Sequence, residues 1–421
     1  MKQKYLKRIA DKMLDDALEA SGAVLIEGAK WCGKTRTAEE RAVSKLLMQD
    51  PDYTGSYLKA ADTKPSLLLN GEAPRLLDEW QMAPVLWDAV RFAVDQRGES
   101  GQFILTGSAV PKDNVVGHTG TGRISRMLMR TMTLYESLES NGGISLKSLF
   151  DGTCDGDGMS TLTIEKLAFA LTRGGWPASV GEKESVALRR ASDYVEAIIG
   201  VDVSRVDGIE KNPSRVRALM RSLARNVSTM ATLRTIRNDM AVDEDSLSEK
   251  TISIYLNALR RIFVVEDLLA WNPAMRSKTA LRTHPKRHFT DPSIAAAVLR
   301  VSPDGLLRDF NTFGLLFESL CIRDLRVYAQ AIDGEVFHFR DKSGLEADAI
   351  VQLKDGRWGA VEVKMGAKEI ETAAENLKAL QQKVNIDKMK EPSFLMVLTG
   401  TELAYRRKDG VYVTPVGCLK D

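Results

Sequence analysis

The sequence predicts an α/β protein with three domains, at residues 1–160, 161–300 and 301–421. Strand-like apolar segments alternate with helical ones in the first part, which is typical of a parallel sheet covered by helices. Amphipathic helical stripes dominate the middle part, and short strands return around one helix in the last. A chain of 421 residues is also too long for one hydrophobic core.

In the first domain, residues 1–20 are predicted as an amphipathic helix. The strand candidates that follow are Ala23–Glu27, Arg75–Asp78, Gln102–Thr106 and Arg130–Leu134. The stretch Asn141–Ser160 is rich in Gly and Asp, so we expect it to link the first domain to the second.

The middle domain is predicted to be helical and to contain a winged helix-turn-helix. One stripe of apolar side chains at helical spacing runs from Val216 to Ala224, and a second from Ile252 to Leu259, opened by a capping-box spacing at Ser246 and Glu249. A strand-like run, Ile262–Val265, precedes a hairpin-like basic segment without acidic residues. We expect this segment to contact DNA or RNA through Arg276, Lys278, Arg282, Lys286 and Arg287.

The last domain is predicted as a compact α/β unit. Its strands are Val336–Arg340, Ala347–Leu353, Trp358–Lys364 and Ser393–Leu398, and its helix is Ala367–Lys388.

The composition narrows the class of protein. Net charge is +2 and hydrophobic content 44%, as in ordinary globular proteins, and no apolar run approaches the ~20 residues of a membrane span. The charged N-terminal helix is unlike a signal peptide, and the four cysteines lie too far apart to suggest a disulfide framework or a zinc finger. We therefore expect a cytoplasmic protein that does not associate with membranes.

The run GAKWCGKT follows the first strand candidate and precedes a helix, which is the context of a phosphate-binding loop. Its glycines let backbone N–H groups point at phosphate oxygens, while Lys34 reaches the β/γ-phosphates and the Thr35 hydroxyl binds Mg²⁺. ATP and Mg²⁺ are the predicted cofactors. The predicted nucleotide-contacting residues of the loop are Gly28, Ala29, Lys30, Trp31, Cys32, Gly33, Lys34, Thr35 and Arg36.

Two later strand ends are predicted to complete the site. Asp78 would hold Mg²⁺ through water, and Glu79 would act as the general base on the attacking water. Thr106 or Ser108 could hydrogen-bond the γ-phosphate or the attacking water, although a strand that simply ends in a polar turn is nearly as good an interpretation.

Three arginines are candidates for stabilising the transition-state charge, either in the same chain or across a homo-oligomer. Arg123 is favoured over Arg126 and Arg130 because Gly122 before it suggests a loop that can approach phosphate. Spacing alone does not separate these arginines from ordinary surface residues.

The runs GAKWCGKT, LLDEWQ, FILTGSA and GRISRMLMRTMTLYE together resemble bacterial AAA-type ATPases whose C-terminal half is the domain of unknown function 4143. Later runs, among them KRHFTDPSIAAAVL and RDKSGLEADAIVQL, resemble that C-terminal half. The resemblance covers nearly the whole chain. It implies an AAA-like ATPase core, a winged-helix segment and a terminal fold like that of restriction endonucleases, without implying a biological role.

The last domain also has acidic residues in the pattern D…E-x-K. Asp348 lies on one predicted strand, and Glu362 and Lys364 share a face of the next, so the two carboxylates could bind Mg²⁺ while Lys364 activates water. Glu318 is the predicted third metal ligand, with Glu346 as its rival. An exposed ion pair, or a nuclease fold that binds without cutting, are the competing interpretations.

The predicted function is that of an ATPase controlling a C-terminal half that acts on nucleic acid. That half could be a Mg²⁺-dependent nuclease, or an inert nuclease fold in a nucleotide-switched DNA-binding regulator. A third hypothesis is a signalling ATPase that assembles on a protein partner.

Overall fold

The computed structural model describes residues 4–107, 120–205, 211–240, 248–272, 284–384 and 389–421. The helices are α1 (Ile9–Ala20), α2 (Lys34–Glu39), α3 (Thr54–Thr63), α4 (Val85–Arg97), α5 (Leu146–Asp151), α6 (Ile164–Arg173), α7 (Glu184–Ala197), α8 (Val203–Arg205), α9 (Pro213–Arg225), α10 (Leu233–Met240), α11 (Glu249–Arg261), α12 (Pro292–Leu299), α13 (Pro303–Arg308), α14 (Phe310–Gln330) and α15 (Ile370–Lys383). The strands are β1 (Ala23–Glu27), β2 (Ser44–Leu47), β3 (Arg75–Asp78), β4 (Phe103–Gly107), β5 (Ile124–Leu128), β6 (Ile144–Ser145), β7 (Gly158–Met159), β8 (Gly334–Arg340), β9 (Glu346–Leu353), β10 (Trp358–Lys364), β11 (Phe394–Thr399), β12 (Leu403–Arg406), β13 (Tyr412–Pro415) and β14 (Leu419–Lys420).

These elements divide into two units. The first unit comprises the described parts of Met1–Thr131, Val201–Glu210 and Ala258–Val264, and the second comprises the remainder. The three domains predicted from sequence do not coincide with these units, and that division stays a prediction.

The first unit is built on a five-stranded sheet with the order β2-β3-β4-β1-β5, in which every pairing is parallel. Successive side chains of a strand face opposite sides. Leu25, Leu77 and Leu105 accordingly pack on one face with residues of α4. Ile26 and Ile104 pack on the other face with residues of α1. A parallel sheet covered on both faces is the α/β architecture that the sequence predicted.

The strands of this sheet differ from the prediction at two places. The fifth strand is Ile124–Leu128, paired with β1, and not Arg130–Leu134, which forms no strand. The apolar character of Arg130–Leu134 comes instead from burial of an irregular segment, in which Met132 and Leu134 are each 1% exposed. The strand β2 was missed because its sequence, SKLL, lacks a continuous apolar run.

The prediction that Asn141–Ser160 is a linker is also wrong. The segment contains β6, α5 and β7, and β6 pairs with β14 while β7 pairs with β12 in the second unit. Leu146 and Leu149 are buried, and the ring of Phe150 stacks edge-on against Phe394. This segment is therefore part of the packed second unit, although its Gly and Asp content suggested a solvated connection.

The helical part of the second unit includes α6, α7, α9 and α12, which pack against one another. The apolar stripe from Val216 to Ala224 is buried on α9, as predicted. Helix α11 begins at Glu249, where the Ser248 hydroxyl accepts the Thr251 amide, and Ser246 of the predicted capping box lies outside the described residues.

The predicted strand Ile262–Val265 is mostly a turn. Phe263 has a positive φ of 57° there, and Val265 makes an isolated antiparallel bridge with Phe289. Leu268 makes a second antiparallel bridge with Lys286.

The terminal part of the second unit contains a seven-stranded sheet with the order β7-β12-β13-β11-β10-β9-β8. Strands β8, β9 and β10 form an antiparallel meander, and β11 then pairs parallel to β10 after the crossover helix α15. Helix α15 packs beside Ile350, Ala360 and Val397. It is shorter than the predicted Ala367–Lys388, because Ala367–Glu369 form a 3₁₀-helix before it. Residues 385–388 lie outside the described residues. Among the described residues, no helix is both long and apolar enough to cross a membrane.

Candidate nucleotide site and a buried charge cluster

The loop between β1 and α2 has the backbone of a phosphate cradle. Gly28 has φ +150° and Gly33 has φ +106°, values that favour glycine. A Cβ added at Gly28 would lie 2.1 Å from the Met129 carbonyl oxygen, so packing also excludes a side chain. Helix α2 then begins at Lys34, with its N-terminal end at the loop.

Lys34 lies inside this loop with its ammonium bound to backbone. Its Nζ donates to the carbonyl oxygens of Gly28 at 2.9 Å and Ala29 at 2.8 Å, and the residue is 6% exposed. Both acceptors are neutral backbone carbonyls. The position of the Lys34 side chain suits an anion such as a phosphate, which could replace these carbonyls as acceptor.

Asp78 is the centre of the polar contacts at the end of β3. It is fully buried, and its Oδ1 accepts the Thr35 hydroxyl at 2.7 Å and the Thr106 hydroxyl at 2.6 Å. The Gln49 amide nitrogen lies 3.4 Å from Oδ2. These donors are uncharged, and a carboxylate beside a hydroxyl is the kind of oxygen donor set that suits Mg²⁺.

Glu79 follows with a left-handed backbone, φ 54° and ψ 44°, which turns its side chain out of the strand direction. Its carboxylate accepts a hydrogen bond from the Gln81 side-chain amide. Burial, together with the charge of Asp78, raises the pKa of Glu79 although Lys34 opposes the shift. A raised pKa makes the carboxylate a better proton acceptor, as a general base requires.

The other predicted loop residues have separate contacts. Lys30 pairs with Asp202 at 2.5 Å, and Trp31 is 56% exposed with φ 66°. The Cys32 thiol is buried and donates to the Met129 carbonyl, whereas Arg36 pairs with Glu40 at 2.6 Å.

The three candidate arginines are placed differently. Arg123 pairs with Asp95 of α4 at 2.7 Å, whereas Arg126 donates to Glu27, the residue before Gly28, at 3.1 Å. Arg130 contributes its carbonyl oxygen to the Arg8 guanidinium. Which arginine serves the nucleotide stays a prediction, and Ser108 lies outside the described residues.

In the second unit, the predicted acidic residues of the D…E-x-K pattern lie together with two lysines. Lys364 Nζ is 2.9 Å from Glu362 Oε2 and 3.7 Å from Asp348 Oδ2. Glu318, on α14, does not share an open metal-binding space with Asp348. Lys286 Nζ lies between the two carboxylates, 2.8 Å from Glu318 and 2.9 Å from Asp348. Among the described residues, no three His, Cys, Asp or Glu side chains are arranged to hold a metal ion.

The pKa values in this cluster follow from burial and from the neighbouring charges. Burial and the charge of Asp348 raise the pKa of Glu318 to about 8 and that of Glu362 to about 8. Burial alone would raise the pKa of Asp348, but Lys286 and Lys364 lower it. Glu346, the rival for the third acidic position, is instead half-exposed and pairs with Arg340 at 3.5 Å.

For two of the five basic residues predicted to contact nucleic acid, the predicted placement is therefore wrong. Lys286 and Arg287 were expected in an exposed nucleic-acid surface, but they are 6% and 5% exposed. Arg287 pairs with Asp267 at 3.0 Å, and Lys286 with the two carboxylates. A basic run without acidic neighbours in sequence gave no sign of these long-range partners.

Sequence reasoning also missed residues that support the nucleotide site. Gln49 follows β2, which was not predicted as a strand, so its approach to Asp78 could not be expected. Gln81 had a signal, because it is the last residue of the run LLDEWQ that carries the family resemblance.

The fold and the site of the first unit define a P-loop nucleotide-binding protein of the α/β class. Comparison with known families agrees: the AAA domain family matches residues 20–138 and the domain of unknown function 4143 matches residues 313–419. The chain therefore combines an AAA domain with a C-terminal DUF4143 domain, which confirms the resemblance stated from its motifs. The domain of unknown function 8612 matches residues 164–305 between them.

Individual proteins show more distant similarity. The uncharacterized proteins Rv2008c of Mycobacterium tuberculosis and Mb2031c of Mycobacterium bovis are each 23% identical over 360 residues, 84% of this chain and 73% of theirs. A Walker-type ATPase of Pyrococcus abyssi is similar at 15% identity and a TM-score of 0.42, over 70% of this chain and 96% of that one. The Orc1 protein of Aeropyrum pernix, solved with DNA, is similar at 12% identity and a TM-score of 0.27, over 70% and 93%.

Proposed function

We propose that the protein binds ATP at the loop Gly28–Thr35 and hydrolyses it with Mg²⁺. The observation that carries this proposal is that a buried lysine, Lys34, donates to two backbone carbonyls while a buried aspartate, Asp78, accepts from two hydroxyl groups. One is suited to phosphate and the other to a cation: Lys34 begins the helix that follows β1, and Asp78 ends β3 of the same sheet.

Each residue then has a defined role. Lys34 exchanges its two carbonyl acceptors for β/γ-phosphate oxygens, and Thr35 and Asp78 hold the cation. Mg²⁺, when bound, neutralises charge on the phosphates. Thr106 orients the Asp78 carboxylate by its hydrogen bond of 2.6 Å. Glu79 accepts the proton of the attacking water, and Gln81 fixes the direction of the Glu79 side chain.

Glu79→Gln tests this assignment. We expect the variant to bind ATP as the wild type does but to lose hydrolysis by about 10²–10⁴-fold, because an amide cannot accept the proton. Binding and turnover are measured on both proteins, with Glu72→Gln, an exposed glutamate, as the matched control. Hydrolysis by Glu79→Gln at the wild-type rate would show that the general base is another group.

For the C-terminal half we propose a nuclease-like fold that acts on nucleic acid under control of the ATPase, beside a winged helix. The order of α14, the β8–β9–β10 meander, α15 and the parallel strand β11 supports the first part. The helices α9, α10 and α11, followed by the bridges at Val265 and Leu268, support the second. Between a Mg²⁺-dependent nuclease and an inert nuclease fold, the lysine between Glu318 and Asp348 favours the inert fold.

Nucleic-acid binding is tested directly with labelled duplex and single-stranded DNA and with RNA, with and without ATP. Binding that changes with the nucleotide supports a nucleotide-switched regulator. Metal-dependent cleavage that Asp348→Asn removes would restore the nuclease hypothesis. If no nucleic acid binds at low salt, the signalling ATPase with a protein partner becomes the better hypothesis.

A further inference from the structure

Lys286 is fixed in the second unit by its backbone as well as by its side chain. Its amide donates to the Leu268 carbonyl at 3.0 Å and its carbonyl accepts the Leu268 amide at 2.9 Å. The next amide, of Arg287, donates to the Thr229 carbonyl at 2.8 Å. The backbone from which the Lys286 side chain extends toward the carboxylates of α14 and β9 is therefore held by hydrogen bonds.

The Lys286 ammonium bridges two carboxylates as a bound cation would. Nζ lies 2.8 Å from Glu318 Oε1 and 2.9 Å from Asp348 Oδ1, and the residue is 6% exposed. A Mg²⁺ ion held by the same two oxygens would require distances of about 2.0–2.1 Å and the space that Nζ occupies. The two cations could not share that space.

Two further oxygens of the cluster have donors of their own, and a third is buried without one in the part of the chain that the structure describes. Asp348 Oδ2 accepts the Val363 amide at 2.9 Å, and Glu362 Oε2 is 2.9 Å from Lys364 Nζ. Glu362 Oε1 is buried without a hydrogen-bond partner among the described residues. The donor set does not fit a divalent cation while Lys286 is in place.

We infer that the Lys286 ammonium takes the place of the divalent cation in the C-terminal half, so that this half works without metal-dependent cleavage. The inference rests on the proposed nuclease-like fold of that half and not on the ATPase assignment. The ammonium groups of Lys286 and Lys364 then supply the positive charge that faces the three carboxylates.

Removing the ammonium should uncover a latent metal site. In Lys286→Met a side chain of similar length replaces lysine without its charge, leaving Glu318, Asp348 and Glu362 near one another with only Lys364 opposite. Repulsion between buried carboxylates is relieved by a bound cation. Lys286→Arg keeps the charge and should keep the site closed.

The test measures the binding of Mn²⁺ alone to the purified chain without nucleotide. Binding is detected as a loss of the spectroscopic signal of free Mn²⁺. We expect Lys286→Met to bind one Mn²⁺ more than the wild type, at least about tenfold more tightly than any wild-type site of this unit. Lys286→Arg should match the wild type, and adding Asp348→Asn to Lys286→Met should remove the gain. Folding of each variant is checked by circular dichroism.

Two results would overturn the inference. One is a folded Lys286→Met that gains no Mn²⁺. The other, which needs no Lys286 variant, is a wild-type chain that binds Mn²⁺ at a site lost in Asp348→Asn, because the lysine would then not exclude the metal. Equal Mn²⁺ binding by wild type and Asp348→Asn supports the inference. Since nucleotide is absent throughout, failure of the proposed ATPase would leave these outcomes unchanged.

Discussion

Two buried lysines, Lys34 in the first unit and Lys286 in the second, have the same exposure and opposite surroundings. Each is 6% exposed. Lys34 donates to two backbone carbonyls, whereas Lys286 donates to two carboxylates. A carboxylate adds the attraction between two full charges, which a neutral carbonyl does not, so a phosphate can displace carbonyls from Lys34 more readily than carboxylates from Lys286.

The aspartates of the two sites differ in the same sense. Asp78 accepts hydrogen bonds from neutral hydroxyl groups, while Asp348 faces the ammonium groups of Lys286 and Lys364. A buried charge with neutral partners is suited to a ligand of opposite charge, and one with charged partners is already neutralised. The sequence patterns of both sites suggest a metal. The side chains that contact each aspartate distinguish the two sites.

The largest effect should come from breaking the neutralised cluster. Asp348→Ala leaves Lys286 and Lys364 facing fewer carboxylates in a buried position, which should cost about 3–5 kcal/mol of unfolding free energy. Urea unfolding measures it. The control is Lys354→Ala, which removes an exposed ion pair with Asp333 and should change stability little. Equal stability of the two variants would mean that the cluster is solvated.

The nucleotide site should respond in ligand affinity instead. Lys34→Ala removes the ammonium that replaces carbonyl acceptors by phosphate, so we expect ATP binding to weaken by at least about 100-fold, or about 2.7 kcal/mol. Calorimetric titration with ATP measures this. Lys45→Ala, an exposed lysine paired with Glu39 at 2.9 Å, is the control and should bind normally. Normal binding by Lys34→Ala would place the phosphates elsewhere.

The sequence predicted what depends on local pattern. The strands β1, β3 and β10 have the predicted bounds, and the loop from Gly28 to Thr35 was identified because its residue types and flanks are contiguous. What failed depends on contacts between distant segments. Lys286 lies 62 residues before Asp348 in the chain, and nothing in the sequence near either one announces the pair.

A similar limit applies to the missed strand and to the linker. The strand β2 contains an exposed lysine and a partly exposed serine, because it lies at the edge of the sheet where one side is less covered. The segment from Asn141 to Ser160 contains glycines that predict a loop, but its apolar residues are buried by strands that the chain forms only near its C-terminus.

A smaller effect is expected at Thr106. Thr106→Val keeps the side-chain shape and removes the hydroxyl that donates to Asp78. We expect turnover to fall about tenfold, corresponding to about 1.4 kcal/mol, while ATP affinity changes less, because the hydroxyl orients a cation ligand and does not hold the phosphates. Steady-state hydrolysis and ATP titration separate the two, with Thr63→Val on α3 as a control. A large loss of affinity with unchanged turnover would argue that Thr106 contacts nucleotide itself.

The smallest effect concerns the basic segment, where burial removes two of the five predicted contacts. Lys286 and Arg287 are occupied by carboxylates, so only Arg276, Lys278 and Arg282 remain from that prediction, and these three lie outside the described residues. Replacing the three by Ala should flatten the dependence of log affinity for duplex DNA on log salt by up to about 2.7, at about 0.9 per phosphate contact. The matched control replaces Arg221 and Arg225, which are exposed on α9. If replacing Arg221 and Arg225 flattens the slope and replacing the three residues of the basic segment does not, the nucleic-acid surface lies on α9. Exposed basic residues would then still bind nucleic acid where buried ones do not, but on α9 instead of the basic segment.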